Sequence, residues 1–229
     1  MEKLYHLILV SFFLVTSSSA CTDTHRPIKS TLNMQAFPGF EIGKNKTDVT
    51  LTGYEYQAIE SETIKPESCD QAINTHSSAV ADFEYFRFKQ LVLSCNAIKQ
   101  FAKATDAQVT WFPAKPNISF YSELPAIVKP LLNNNEPNQL SNKTLGNYVA
   151  KTNISLETDN IAKIINSEDE IYVTLLARGD FTNDGIEDLL IKTEWYARKA
   201  FGKHADLLIL TRTSGKTRVN VYWRLNSIN

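Results

Sequence analysis

From Ile171 to Leu225 the chain alternates between runs dominated by aliphatic and aromatic residues and short glycine-containing gaps. The runs are Ile171 to Ala177, Asp188 to Trp195, Asp206 to Arg212 and Arg218 to Leu225, and the gaps hold Gly185, Gly202 and Gly215. Runs of this length bounded by turn residues read as strands, and turns this short lay each strand beside the last, so about 170–225 predicts an antiparallel meander. Upstream the period changes. Val80, Phe83, Phe88, Leu91, Val92, Cys95, Ile98 and Ala102 recur mostly three or four apart, which predicts a helix over about 78–104 with one apolar face. Val49 to Tyr56 alternates and predicts a strand, whereas Glu157 to Ser167, with Ile161, Ile164 and Ile165 to one side, predicts a short helix. Between Trp111 and Asn147, five prolines predict mostly connection, with room for a short helix within Leu124–Leu132. The expected fold class is α+β: a helical N-terminal half packed with a C-terminal antiparallel β-meander, one domain over 49–229, after a tether or irregular arm over 21–48.

The turn between the first two runs of the meander carries the densest chemistry. It reads Gly179-Asp180-Phe181-Thr182-Asn183-Asp184-Gly185-Ile186-Glu187-Asp188. Side-chain oxygens fall at loop positions 1, 3, 5 and 9 as Asp180, Thr182, Asp184 and Asp188, with glycine at position 6 where the backbone must turn sharply. A hard divalent cation needs that clustering of oxygens, and the carbonyl of Ile186 at position 7 adds another. An EF-hand is the wrong template. Position 12 is Ile191 and not a carboxylate, Glu187 stands where an aliphatic residue belongs, and the flanks are strands. The thirteen residues 179–191 instead resemble the calcium loop of FG-GAP and VCBS-type β-propeller repeats. That resemblance implies a structural Ca²⁺ held by Asp180, Thr182, Asp184, Ile186 and Asp188 in a strand-loop-strand hairpin. Thr182 departs from it, since the family usually has Asp or Asn there. A single copy does not build a propeller. The plain alternative is an acidic turn, because Asn-Asp-Gly turns a hairpin unaided.

At the other end, Lys3, an apolar run from Leu4 to Val15, and the small residues Thr16 to Ala20 have the three-part order of a signal peptide over 1–20. The run is too short to span a bilayer. Ser18-Ser19-Ala20-Cys21 resembles a bacterial lipobox, departing from it at Ser18, and the same residues also suit ordinary signal peptidase. There are three cysteines, Cys21, Cys69 and Cys95. Acylation of Cys21 leaves Cys69 and Cys95 as an even pair for one disulfide in an oxidising compartment. A lipid anchor on Cys21 is therefore expected to hold the chain to a membrane. Thr22 after the cysteine implies outer-membrane delivery, facing the periplasm or the surface; a soluble periplasmic or secreted protein is the alternative.

Composition narrows the function classes. Apolar residues make up 43% and charged residues 21% of 229, the balance of a globular protein. A net charge of -1 and no basic stripe with interleaved aromatics speak against nucleic acid as a partner. No common nucleophile, zinc or nucleotide signature occurs, and His25, His76 and His204 sit in separate polar contexts, so no catalytic residue is assigned. Trp195, Tyr196, Tyr222 and Trp223 are expected mainly in a core, with an aromatic recognition face as the alternative. Arg198, Lys199, Lys203 and His204 form a solvated loop or, functionally, a docking tip. The expected role is a binding or structural module of the cell envelope, with an envelope protein or ligand as partner; its rival is a periplasmic hydrolase using the Asp cluster or a bound cation.

Overall fold

A computed structural model of the chain describes residues 26–43, 45–60, 62–131, 138, 140, 142–149 and 153–225. Its centre is an antiparallel sheet. Strands β6 (Ile154–Thr158), β7 (Ile161–Ile165), β8 (Asp169–Gly179), β9 (Asp188–Ala197), β10 (Lys203–Thr211) and β11 (Asn220–Arg224) follow one another in space as in sequence. β7 pairs with Glu170–Thr174 of β8, and the N-terminal β1 (Thr31–Leu32) pairs further along the same strand with Ala177 and Arg178. A cleft of about 640 Å³ opens between those two neighbours, lined in part by Asn33, Gln35, Asp159 and Asn160.

The middle of the sheet is apolar at successive positions, Leu189-Leu190-Ile191 on β9 and Leu207-Leu208-Ile209-Leu210 on β10. Successive side chains of a strand point to opposite faces, so such runs need cover on both. One face carries Leu190, Leu207 and Ile209 and packs against α2 (Tyr85–Lys103). The other carries Leu189, Ile191, Leu208 and Leu210 and packs beneath Phe112, Tyr121, Leu124, Val128 and Leu145. The latter group comes from the proline-rich stretch, which folds into α3 (Ile118–Glu123), a 3-10 turn (Ala126–Val128) and α4 (Leu145–Tyr148). Asn117 and Thr144 cap the two helices with side-chain oxygens that accept the amide N–H groups of Phe120 and Asn147.

The helical N-terminal half expected from sequence is overturned. Strands make up 36% of the described residues and helix 25%, and seven of the strands form one antiparallel sheet. The N-terminal part holds two small hairpins, β2 (Phe40–Ile42) with β3 (Val49–Leu51) and β4 (Tyr56–Gln57) with β5 (Thr63–Ile64), beside α1 (Cys69–Asn74) and the one long helix. The strand expected over Val49–Tyr56 is broken at Gly53, which takes φ +78°. The helix expected from 78 begins only at Tyr85, because Ser77–Ala79 forms a 3-10 turn and Val80 pairs with Ala58. The helix expected over Glu157–Ser167 is the β6–β7 hairpin. Its isoleucines obey a period of two, with Ala162 and Ile164 buried, and Asp159-Asn160 makes the turn. The described part of the arm is docked: besides β1, Ile28 pairs with Ala107. Among the described residues no helix is long and apolar enough to cross a membrane.

Cys69, the first residue of α1, is disulfide-bonded to Cys95 in the middle of α2. Cys95 is fully buried, so the bridge fixes the short helix to the layer that covers the sheet. Replacing both cysteines by alanine should lower stability by about 3.5 kcal/mol in the chain-entropy account of a loop this long. Urea unfolding of the full chain with and without the substitutions measures the difference.

Candidate cation-binding hairpin

β8 ends where three segments meet. A Cβ added at Gly179 would lie 3.1–3.4 Å from Ser30, Ala104 and the Thr105 carbonyl, so the segments approach closely there. Asp180 and Thr105 then exchange backbone hydrogen bonds of 2.9 and 3.0 Å. Farther round, Gln108 and Val109 donate to the Gly185 carbonyl, and Glu187 donates to the carbonyl of Val109. The loop is thus seated along residues 105–109, the chain that leaves α2. Asn183 and Gly185 take φ of +61° and +81°, the left-handed conformations that close the turn.

Two carboxylates organise its interior. Asp180 Oδ1 accepts the backbone N–H groups of Thr182, Asn183 and Asp184 at 3.2, 2.6 and 3.3 Å, and its Oδ2 accepts that of Gly185 at 2.8 Å. Asp188, fully buried, accepts the N–H groups of Phe181 and Thr182 through Oδ2 at 3.0 and 3.1 Å. The Thr182 N–H is therefore shared by both carboxylates, which brings them within two hydrogen-bond lengths of each other. Asp188 Oδ1 has no hydrogen-bond partner; the Thr211 hydroxyl is near the carboxylate but outside bonding geometry to that oxygen. Burial raises the pKa of Asp188 against the pull of those donors.

Of the five sequence-derived ligands, the structure brings Asp180, Thr182 and Asp188 together. Asp184 is exposed, and its Oδ1 accepts the Ile186 N–H at 2.8 Å, capping the turn. Among the described residues no three His, Cys, Asp or Glu side chains are grouped to hold a metal ion. At the Asp180–Asp188 end one buried carboxylate oxygen, Asp188 Oδ1, has no hydrogen-bond partner. Cys21 and His25 lie outside the described residues.

Sequence reasoning passed over Glu187. Its side chain is 3% exposed and takes a two-pronged ion pair from Arg178, Nε at 3.2 Å and Nη2 at 2.7 Å, plus the Thr110 hydroxyl at 2.5 Å. Arg178 also donates to the Pro113 carbonyl at 3.0 Å. The pair thus joins the base of the hairpin to the start of the layer that covers the far face. The four aromatic residues do not form one face. Trp195 donates its ring N–H to Asp169 at 2.7 Å on one side of the sheet, while Tyr196 meets Phe86 of α2 on the other. Trp223 packs toward α2, and Tyr222 is exposed. Asp169 also accepts from Tyr148 and Asn166; burial pushes its pKa up, but these bonds outweigh burial and hold it low. His204 lies between Lys89 and Asp206 at the sheet edge, where Arg224 pairs with Asp206.

Glu187→Ala should destabilise by about 3 kcal/mol, since it strands the Arg178 guanidinium in a largely buried place. The double variant Arg178→Met/Glu187→Leu should recover most of that loss in urea unfolding, which separates the ion pair from simple packing. Comparison of the chain with protein-family models, with curated proteins and with solved structures returned no match.

Proposed function

We propose that the chain works in the cell envelope as a binding or structural module whose sheet is fastened by a calcium ion at the Asp180–Asp188 hairpin. The observation that carries this is the buried Asp188 carboxylate, one oxygen of which has no donor while the other shares an N–H with Asp180. Two carboxylates this close in a low-dielectric setting repel unless a positive charge stands between them. Calcium would supply that charge. Asp180 and Asp188 would be the principal ligands, with Thr182 and the Ile186 carbonyl beside them and Asp184 completing the set from the exposed rim. The chain's own part is to hold Asp180 in place through four loop amides and to seat the loop on residues 105–109. Export, and an anchor at Cys21, are supported by the leader-like residues 1–20 and by the Cys69–Cys95 bridge, a bond typical of oxidising compartments.

Calorimetry of the chelator-stripped protein tests the cation. Millimolar Ca²⁺ should release or absorb heat, and at ten times the dissociation constant it should stabilise by about 1.4 kcal/mol, a rise in Tm of about 3–6 °C. Mg²⁺ should do neither, because its small octahedral shell fits such a loop poorly. Asp180→Ala should abolish the calcium-dependent shift and Asp184→Asn should weaken it. Absence of both heat and shift in the unaltered chain would return the loop to an acidic turn.

A further inference from the structure

The turn joining β9 to β10 ends in Phe201, which is 112% exposed, the most exposed large hydrophobic residue among those described. The turn is firmly built. Ala197 N–H donates to the Gly202 carbonyl at 2.8 Å, Arg198 N–H donates to the Glu168 carbonyl at 2.8 Å, and the Arg198 guanidinium donates to the Asn166 carbonyl at 2.7 Å. Phe201 is thus held out by structured backbone. Cations surround it in sequence: Arg198, Lys199 and Lys203. Lys199 pairs with Glu168 at 2.7 Å, and nearby Glu170 is held by Lys163 at 3.0 Å, which leaves Arg198 and Lys203 as net positive charge on the turn. Phe83 and Tyr85, at the entry to α2, are also exposed. Phe86 fixes that entry beside the turn, its ring 5.9 Å from that of Tyr196 and 4.7 Å from Lys203 Nζ. Phe201, Phe83 and Tyr85 therefore protrude at one end of the molecule, Phe201 beside Arg198 and Lys203 and the other two beside Asp82 and Glu84, of which Glu84 is paired with Arg87 at 3.5 Å.

A rigid protein partner would gain little from a single ring on a narrow turn, because stable protein interfaces bury on the order of 1,000 Å² or more. A bilayer needs no matching concavity. Its headgroup region takes aromatic side chains singly, and anionic headgroups attract Lys and Arg beside them. We propose that the β9–β10 tip docks on an anionic phospholipid surface, with Phe201 entering the headgroup–acyl boundary and Arg198 and Lys203 facing the lipid phosphates. This contact is separate from any anchor at Cys21 and from the hairpin at Asp180–Asp188.

The test places an environment-sensitive fluorophore on Phe201→Cys in the full chain carrying Cys21→Ser, where Cys69 and Cys95 are already bonded. A second preparation carries the same dye on Asp159→Cys, an exposed site at the opposite end of the sheet. With vesicles of phosphatidylcholine and phosphatidylglycerol, the dye at 201 should brighten and shift to the blue, while the dye at 159 should not. Pure phosphatidylcholine vesicles should give neither change. Arg198→Glu/Lys203→Glu should weaken the response at 201 by about tenfold or more, and raising salt should weaken it too. The proposal is overturned if the dye at 201 stays dark on anionic vesicles, if it responds equally to neutral ones, if both positions brighten alike, or if the charge reversals leave the response unchanged.

Discussion

A sheet with aliphatic side chains on both faces finds no stable arrangement until each face is covered, and the cover here comes from two separate parts of the chain. α2 lies on one side and the 112–149 segment on the other, so the sheet is the middle of three layers. Antiparallel sheets commonly leave one face to water; this one does not, and its central strands are correspondingly buried at almost every residue from Leu189 to Ile191 and from Ala205 to Leu210. Other features follow from that demand. The disulfide fastens one cover layer, the Arg178–Glu187 pair stitches the sheet to the other, and residues 105–109 run from α2 along the hairpin toward it.

Glu187 and Asp188 are consecutive buried carboxylates with opposite fates. Consecutive residues at a strand start face opposite ways, so Glu187 meets the Arg178 guanidinium while Asp188 turns into the loop and meets only neutral donors. The first is neutralised by a charge of its own chain. The second has two amides for one oxygen and no partner for the other, and its burial works against ionisation. That contrast within one dipeptide is what singles out the loop.

Much of the C-terminal half was legible in the sequence because each strand there is long and each gap short. The four runs from Ile171 match β8 to β11 within a few residues. The 157–167 stretch was misread because Ile161, Ile164 and Ile165 satisfy a helical spacing by chance, whereas the Ile-rich composition and the Asp159-Asn160 pair favoured a hairpin. The role of 112–149 was hidden by its prolines, which interrupt any period even though Phe112, Tyr121, Leu124 and Leu145 all reach the core. The continuous apolar runs of β9 and β10 did carry the news of two-sided burial. At the hairpin, the spacing of oxygens singled out Asp180, Thr182 and Asp188, and the Thr182 N–H bonds to both carboxylates. Spacing alone could not show that Asp184 caps the turn, because that depends on the φ values of Asn183 and Gly185.

β8 has one full-length neighbour, β9, and two partial ones on its other edge, β7 and the two-residue β1. Among the described residues the far end of that edge is therefore closed by the N-terminal arm, with Asn33 extending the closure through its own N–H to Leu176 and its side-chain amide to Leu175. An uncovered edge invites another strand to add to it. Loss of the arm through Asn33 would turn a finished sheet into one that can grow, and would link trimming of the N-terminus to self-association.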